Sequence, residues 1–106
     1  MKKSTKALAF ISGLLLTGIP ALAAELSGRV TVRGKPLEGA VVTANLIGAK
    51  GAAAVSVTRT DSRGEYALRD LRNGNYILLV DLNARRIYQG RIALTGPTFV
   101  KNIGLK

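Results

Sequence analysis

The side chains in this sequence that could carry chemistry are mostly carboxylates in or near the segment "TDSRGEYALRDLRNGNY", residues 60–76. Asp61, Glu65, Asp70 and Asp81 could be imagined as ligands of a calcium ion. Calcium takes about six to eight closely clustered oxygen ligands, and this spacing matches no known calcium loop. The sequence has no histidine and no cysteine, which removes the usual zinc ligands and the partners of a nucleophile. We therefore predict no catalytic residue, no metal site and no cofactor.

Arginines form the second group that could act, by binding anions. Arg29, Arg59, Arg69 and Arg91 fall on predicted strands, mostly at outward-facing positions, and Tyr88 is the most available aromatic ring. These charges could simply be solvated and protect sheet edges from pairing. They could also form a basic face that binds an anionic or carbohydrate polymer. The sequence does not show whether they cluster, so both interpretations stay open.

The first 23 residues have the layout of a Sec-type secretory signal peptide. Lysines at positions 2, 3 and 6 precede an apolar run at positions 7–16, which is shorter than the roughly 20 residues that span a bilayer. "ALA" at positions 21–23 completes the pattern, so we expect cleavage after Ala23 or Ala24. Without cysteine the chain is not a lipoprotein. We expect residues 24–106 to be one periplasmic or secreted domain that does not span the membrane.

The charge of that domain favours anionic partners. The whole chain has 16 basic and 6 acidic residues. Removing residues 1–23 takes away three lysines and no acid, which leaves 13 against 6 and a net charge of +7. A strongly basic domain attracts anions through its long-range field. In an exported protein we expect these to be envelope polymers or an acidic protein, not nucleic acid.

The elements that must position these side chains are strands. From Leu26 onward apolar residues alternate with a period of two, which indicates half-buried strands. About seven short strands with regularly spaced turns and no helix predict an all-β, antiparallel sandwich. Val55 and Val57 should point inward, and a bulge near Lys101 would explain the irregular last strand. Ile77 and Leu79, on the second face of the strongest strand, predict a central or partner-covered strand.

The segment 60–76 is interpreted as turns that support the strands, not as an active-site loop. Asp61 should accept hydrogen bonds from the backbone of Arg63 or Gly64. Glycine at positions 39 and 64 suits a positive φ or a close approach, and proline presets a turn. The predicted structural turn residues are Pro36, Gly39, Asp61, Gly64, Asn73 and Gly74.

Four short motifs, in order, resemble the carboxypeptidase regulatory-like domain, which has a transthyretin-like (prealbumin-like) fold. The resemblance covers roughly residues 26–106. The matching positions are Gly28 and Val30; Pro36, Leu37, Gly39, Ala40 and Val42; Thr60, Asp61, Gly64 and Tyr66; and Leu71, Gly74 and Tyr76. Hydrolases of the same fold rely on histidines, which this chain lacks. The resemblance therefore implies a non-catalytic module, with an atypical loop at "NARRIYQG".

Two functions remain open at this stage. The chain could mediate protein–protein interaction or assembly in the cell envelope through an open sheet edge. Alternatively, it could bind an anionic or carbohydrate envelope polymer through its basic face. We expect the first, and the sequence does not indicate the oligomeric state.

Overall fold

The computed structural model describes residues 23–106, so the predicted signal peptide, apart from Ala23, lies outside the described residues. The described part of the chain is all β, and no helix in it is long and apolar enough to cross a membrane. Its nine strands are β1 (Ala24–Val32), β2 (Lys35–Pro36), β3 (Val41–Gly48), β4 (Gly51–Arg59), β5 (Glu65–Leu71), β6 (Gly74–Leu82), β7 (Arg85–Leu94), β8 (Thr98–Val100) and β9 (Ile103–Leu105).

The strands form two sheets. In sheet 1, β1 is central, with β2 and β5 along one edge and β8 and β9 along the other. Sheet 2 has the order β4-β3-β6-β7 and is antiparallel throughout. Buried positions alternate along β1, β3, β5 and β6 because the inner face of each sheet packs on the other. The strand β6, which carries Ile77 and Leu79, is central in its sheet, as the sequence indicated.

The hydrophobic core lies between the two sheets and takes side chains from both. The largest fully buried members are Tyr76, Leu26, Leu68, Leu78, Leu94, Val30, Val42 and Val80. Each of these residues lies on the inner face of its strand. The apolar face of each sheet is thus removed from water by the other, which is the main stabilising term in a chain without disulfides.

The structure corrects the predicted strand count of about seven. The "RGKPL" segment contains the short extra strand β2, in which Pro36 pairs with Thr31, while Arg33 and Gly34 make the turn itself. The last predicted strand divides into β8 and β9 at Lys101 and Asn102, which confirms an irregularity at the predicted place. Pro36 is thus a strand residue and not, as predicted, a turn residue.

The pairing of β8 and β9 with β1 is parallel, so the prediction of an entirely antiparallel sandwich is wrong at this point. The chain leaves sheet 2 at Leu94 and returns to sheet 1 beside the start of β1, where the Glu25 amide donates to the Pro97 carbonyl at 2.9 Å. Because it enters at that end, the returning chain must run in the same direction as β1.

The orientation of β4 also differs from the prediction. Val55 and Val57 are 50% and 60% exposed instead of facing the core. Val57 pairs with Thr43, which lies on the outer face of sheet 2, and the ladder shifts register at Val55 between the Ala44 and Asn45 pairs. The alternation of valine with short polar residues was compatible with either face, and the pairing partner decided it.

Candidate functional site

The segment 60–76 contains β5 and the connections between the two sheets at both ends of that strand. Asp61 Oδ1 accepts hydrogen bonds from the amides of Arg63 and Glu65, both at 2.9 Å. The predicted capping role is confirmed for Arg63, whereas the Gly64 amide donates to the Asp61 main-chain carbonyl. The hydrogen bond from the Glu65 amide, and to a smaller extent the one from the Arg63 amide, lower the pKa of Asp61 below its usual value. Asp61 thus holds the turn together through its carboxylate.

Backbone geometry explains the glycines of these turns. Gly39 and Gly64 have φ values of +82° and +75°, as predicted, in the region that L-residues avoid. Asn73 lies where the chain passes from β5 in sheet 1 to β6 in sheet 2, whereas Gly74, predicted as a turn residue, is the first residue of β6 and pairs with Leu94. These residues shape the scaffold on which any binding surface rests.

Both tyrosines of the segment make structural hydrogen bonds. The Tyr76 hydroxyl donates to the Arg72 carbonyl at 2.6 Å, which fixes the corner between β5 and β6. The Tyr66 hydroxyl donates to the Lys101 carbonyl at 2.6 Å, across the break between β8 and β9. Burial, and then the nearby Tyr88, raise the pKa of Tyr66. A neutral, hydrogen-bonded tyrosine of this kind is a packing element.

Because Gly28 has no side chain, the Lys101 carbonyl, at the interruption between β8 and β9, can lie directly against β1. A Cβ at position 28 would overlap the Lys101 carbonyl and lie 3.1 Å from the Tyr66 ring. On either side of the break, the Lys101 amide donates to the Ser27 carbonyl at 2.8 Å, and the Arg29 amide donates to Asn102 Oδ1 at 3.0 Å. The irregular strand is therefore held by specific contacts, and its outer side forms part of the groove described next.

An open groove with a volume of about 940 Å³ lies over the outer face of sheet 1 and reaches the end of β4. Three of the four predicted arginines line it: Arg29 from β1, Arg69 from β5 and Arg59 from β4. The first two come together because β1 and β5 pair, which places their outward-facing residues on one surface. The structure thus shows a clustering that the sequence left open.

Two of these arginines are held in exposed ion pairs within sheet 1. Arg29 Nη2 lies 3.1 Å from Glu65 Oε2, and Arg69 Nε lies 3.2 Å from Glu25 Oε2. Arg59 Nη1 donates to the Gly39 carbonyl at 3.4 Å. Exposed pairs of this kind contribute only about 0–1 kcal/mol, so a ligand carboxylate could compete with them.

Arg91 and Tyr88 lie away from the groove. Both belong to β7 in sheet 2, where Arg91 pairs with Ile77 on the outer face. The Tyr88 ring covers Gly90 and packs against the hydrophobic core. Tyr88 therefore offers less of an exposed stacking platform than its position in sequence indicated.

A second candidate surface is the free edge of sheet 2. The strand β4 has nine residues, pairs only with β3 and is exposed or half-buried throughout. From Gly51 to Thr58 it carries no charged residue. Val57, Thr43 and Leu79 form one row across the outer face of sheet 2, and this row continues from the edge. Sequence reasoning missed this surface because both valines were expected to be inside.

Among residues 23–106, no group of three or more His, Cys, Asp or Glu side chains could hold a metal ion. The carboxylates singled out in sequence are used separately. Asp61 caps its turn, Glu65 pairs with Arg29, and Asp81 Oδ1 accepts from Arg86 Nε at 2.6 Å. Asp70 has a φ of +60° in the irregular end of β5.

Comparison with known proteins places the chain in a family. The model of the carboxypeptidase regulatory-like domain matches residues 25–100, so the chain belongs to this family. This confirms the resemblance noted in the sequence. Members of the family are generally non-catalytic. No curated protein matches the sequence.

Solved structures share the transthyretin-like fold. Sea bream transthyretin in complex with thyroxine has a TM-score of 0.54 and 13% identity, over 74% of this chain and 85% of that one. The 5-hydroxyisourate hydrolase of Klebsiella pneumoniae has a TM-score of 0.53 and 22% identity, over 76% and 86%. The major pilin subunit of Bacillus cereus has a TM-score of 0.61 and 13% identity, over 77% of this chain but 28% of the pilin. At these identities the similarity concerns the fold alone, and one of the three proteins is a hydrolase.

Proposed function

We propose that this chain is a non-catalytic, exported module that binds another protein of the cell envelope through the free edge of β4. The observation that carries the proposal is the long, exposed edge strand β4, which is uncharged from Gly51 to Thr58. Natural proteins usually protect such edges with charges, prolines, short strands or a covering element. The stretch from Gly51 to Thr58 has no charge and no proline, and its one protective device is the irregularity at Val55.

An edge of this kind fits binding by strand addition. An extended segment of the partner would hydrogen-bond to the outward-facing amides and carbonyls of β4, while side chains at alternate positions give specificity. The side chains of β4 are small, so a partner strand can approach closely. Val57 and its row on the outer face of sheet 2 would add apolar contact beside the new strand.

Two further observations support the non-catalytic and exported parts of the proposal. The carboxylates and tyrosines that could act chemically are occupied by turns, ion pairs and strand contacts within the sandwich. The layout of residues 1–23 favours export. We expect to recover the protein from the periplasm or the medium, with a mass that lacks these residues; a retained N-terminus would contradict cleavage, and recovery from the cytoplasm alone would contradict export.

The edge can be tested with two matched substitutions. Val57→Lys places a charge beside the free edge, whereas Val100→Lys makes the same change on β8 in sheet 1. Both valines are well exposed, at 60% and 66%, so both variants should fold and melt like the parent chain. Each protein is used to capture partners from envelope extract at low and high salt.

We expect the parent chain and Val100→Lys to capture the same protein, and to retain it at high salt because the contact is largely hydrogen-bonded and apolar. Val57→Lys should lose it. Capture by Val57→Lys equal to that of the parent chain would rule out the edge as the binding surface. Capture by all three proteins that disappears at high salt would indicate non-specific charge instead.

A further inference from the structure

A second candidate surface lies on the opposite sheet from the edge of β4. We propose that the groove over the outer face of sheet 1 binds an acidic polysaccharide, that is, an extended chain of sugar units bearing carboxylates and hydroxyls. This proposal does not rest on strand addition at β4, because the groove is built mainly from β1, β5 and the β8–β9 segment.

The first argument is the distribution of positive charge. Arg29, Arg59 and Arg69 come from three different strands and line one groove. A guanidinium has five donors, and the contacts described above use a single named nitrogen of each arginine. Planar guanidinium groups are well suited to carboxylates, which they can bind through two parallel hydrogen bonds. Three arginines spread along a groove favour a ligand with repeated carboxylates.

The second argument is that the groove also holds negative and neutral polar groups. Asp61 and Glu65 line the same groove, and they would repel a ligand that is densely anionic along its whole length. They can, however, accept hydrogen bonds from ligand hydroxyls. Ser27, Thr31 and Asn102 add hydroxyl and amide groups to the lining. This mixture matches a sugar acid, with carboxylates and hydroxyls on each unit, better than a polyphosphate or an acidic peptide.

The third argument concerns the floor of the groove. Between Arg29 and Arg69 it consists of the small paired residues Ser27 and Ala67, so a polymer can lie close to the sheet. The Tyr66 side chain borders the groove but is only 4% exposed. Without an exposed ring for a sugar to stack on, affinity depends on charge and hydrogen bonds. We therefore expect modest affinity that falls steeply as salt rises.

The test is a binding titration of the full chain with an end-labelled oligogalacturonate, followed by fluorescence anisotropy at low salt. Neutral dextran and poly-L-glutamate serve as comparison ligands. The test variant combines Arg29→Gln with Arg69→Gln, and its matched control combines Arg85→Gln with Arg91→Gln on β7. Both lose the same charge, but only the first changes the groove. Arg59→Gln is a further test that leaves no carboxylate without its ion pair.

We expect the first double variant to bind oligogalacturonate about tenfold more weakly, which corresponds to about 0.7 kcal/mol for each exposed contact. The β7 control should change affinity by less than about twofold. Equal losses in both variants would show that net charge alone attracts the polymer and would overturn the proposal. Equal binding of dextran, or of poly-L-glutamate, would overturn the assignment to an acidic polysaccharide.

Discussion

Gly64 offers the sharpest test of the structural reasoning, because strain and crowding can be separated there. Its φ is +75°, and a Cβ built on it would lie 2.5 Å from the Val30 carbonyl oxygen and 3.1 Å from the Leu37 nitrogen. Gly34 has a similar φ, +81°, but nothing lies within 4 Å of its Cβ position. Alanine at position 34 therefore adds only strain, whereas alanine at position 64 adds strain and a collision with backbone atoms.

The expected magnitudes follow from these distances. A left-handed alanine costs about 1 kcal/mol relative to glycine. Relieving the contact at position 64 moves the Val30 carbonyl by almost 1 Å, since ordinary contact begins near 3.4 Å. That carbonyl accepts from the Leu37 amide at 2.9 Å, and the Val30 amide donates to the Gly64 carbonyl at 2.8 Å. Losing both bonds costs about 2 kcal/mol, so we expect about 3 kcal/mol for Gly64→Ala against about 1 kcal/mol for Gly34→Ala.

Thermal unfolding followed by circular dichroism measures both changes. In a domain of this size, 1 kcal/mol shifts Tm by about 4–8 °C. We therefore expect Gly64→Ala to lower Tm by about 12–24 °C and Gly34→Ala by about 4–8 °C. Equal shifts for the two variants would refute the claim that Val30, Gly64 and Leu37 are packed as described.

Three other changes test the turns and the buried tyrosine. Thr60→Val removes the hydroxyl that accepts a hydrogen bond from the buried Ala40 amide at 2.9 Å. We expect the free energy of unfolding, measured in urea, to fall by about 1–3 kcal/mol. Thr60→Ser keeps the hydroxyl and should retain most of the stability. Ala84 has a φ of +64° in the two-residue loop of the β6–β7 hairpin, where glycine is preferred; Ala84→Gly should raise Tm by about 2–4 °C, and a decrease would contradict this turn geometry. The raised pKa of Tyr66 means that, above its unfolded-state pKa of about 10, the unfolded chain releases a proton that the folded chain retains. Stability should therefore fall as pH rises above about 10, and Tyr66→Phe should make this fall shallower; an unchanged slope would show that other groups cause it.

The sequence pattern predicted the inner face correctly for strands with large, regularly spaced apolar side chains. In β6, Tyr76, Leu78 and Val80 are all fully buried, because no other orientation would remove so much apolar surface from water. The β4 segment was predicted with the wrong faces, since valine alternates there with small serine and threonine and either face could be inside. Its orientation depends on the register with β3 and on the shift at Val55, which local alternation does not encode.

The candidate sites depended even more on tertiary structure. Arg29 and Arg69 are 40 positions apart in the sequence and share a surface only because β1 pairs with β5. Arg91 looks equivalent in sequence but belongs to the other sheet. The chemistry of the turns was more predictable, because Asp61 bonds to the backbone two and four residues further on. Local hydrogen bonds can be predicted from a short segment, whereas a groove requires the order of the strands.

The parallel pairing of β1 with β8 and β9 has a consequence for how this chain reaches its native state. Arg29 and Asn102, which bond across that pairing, are 73 positions apart. During synthesis β1 therefore keeps one edge unpaired until residues 98–105 have been made. Closing so long a loop is entropically costly, and contacts of this range slow folding. A sheet that is completed only when β8 and β9 are available stays incomplete for longer, and its open edge is exposed to chaperones during that time.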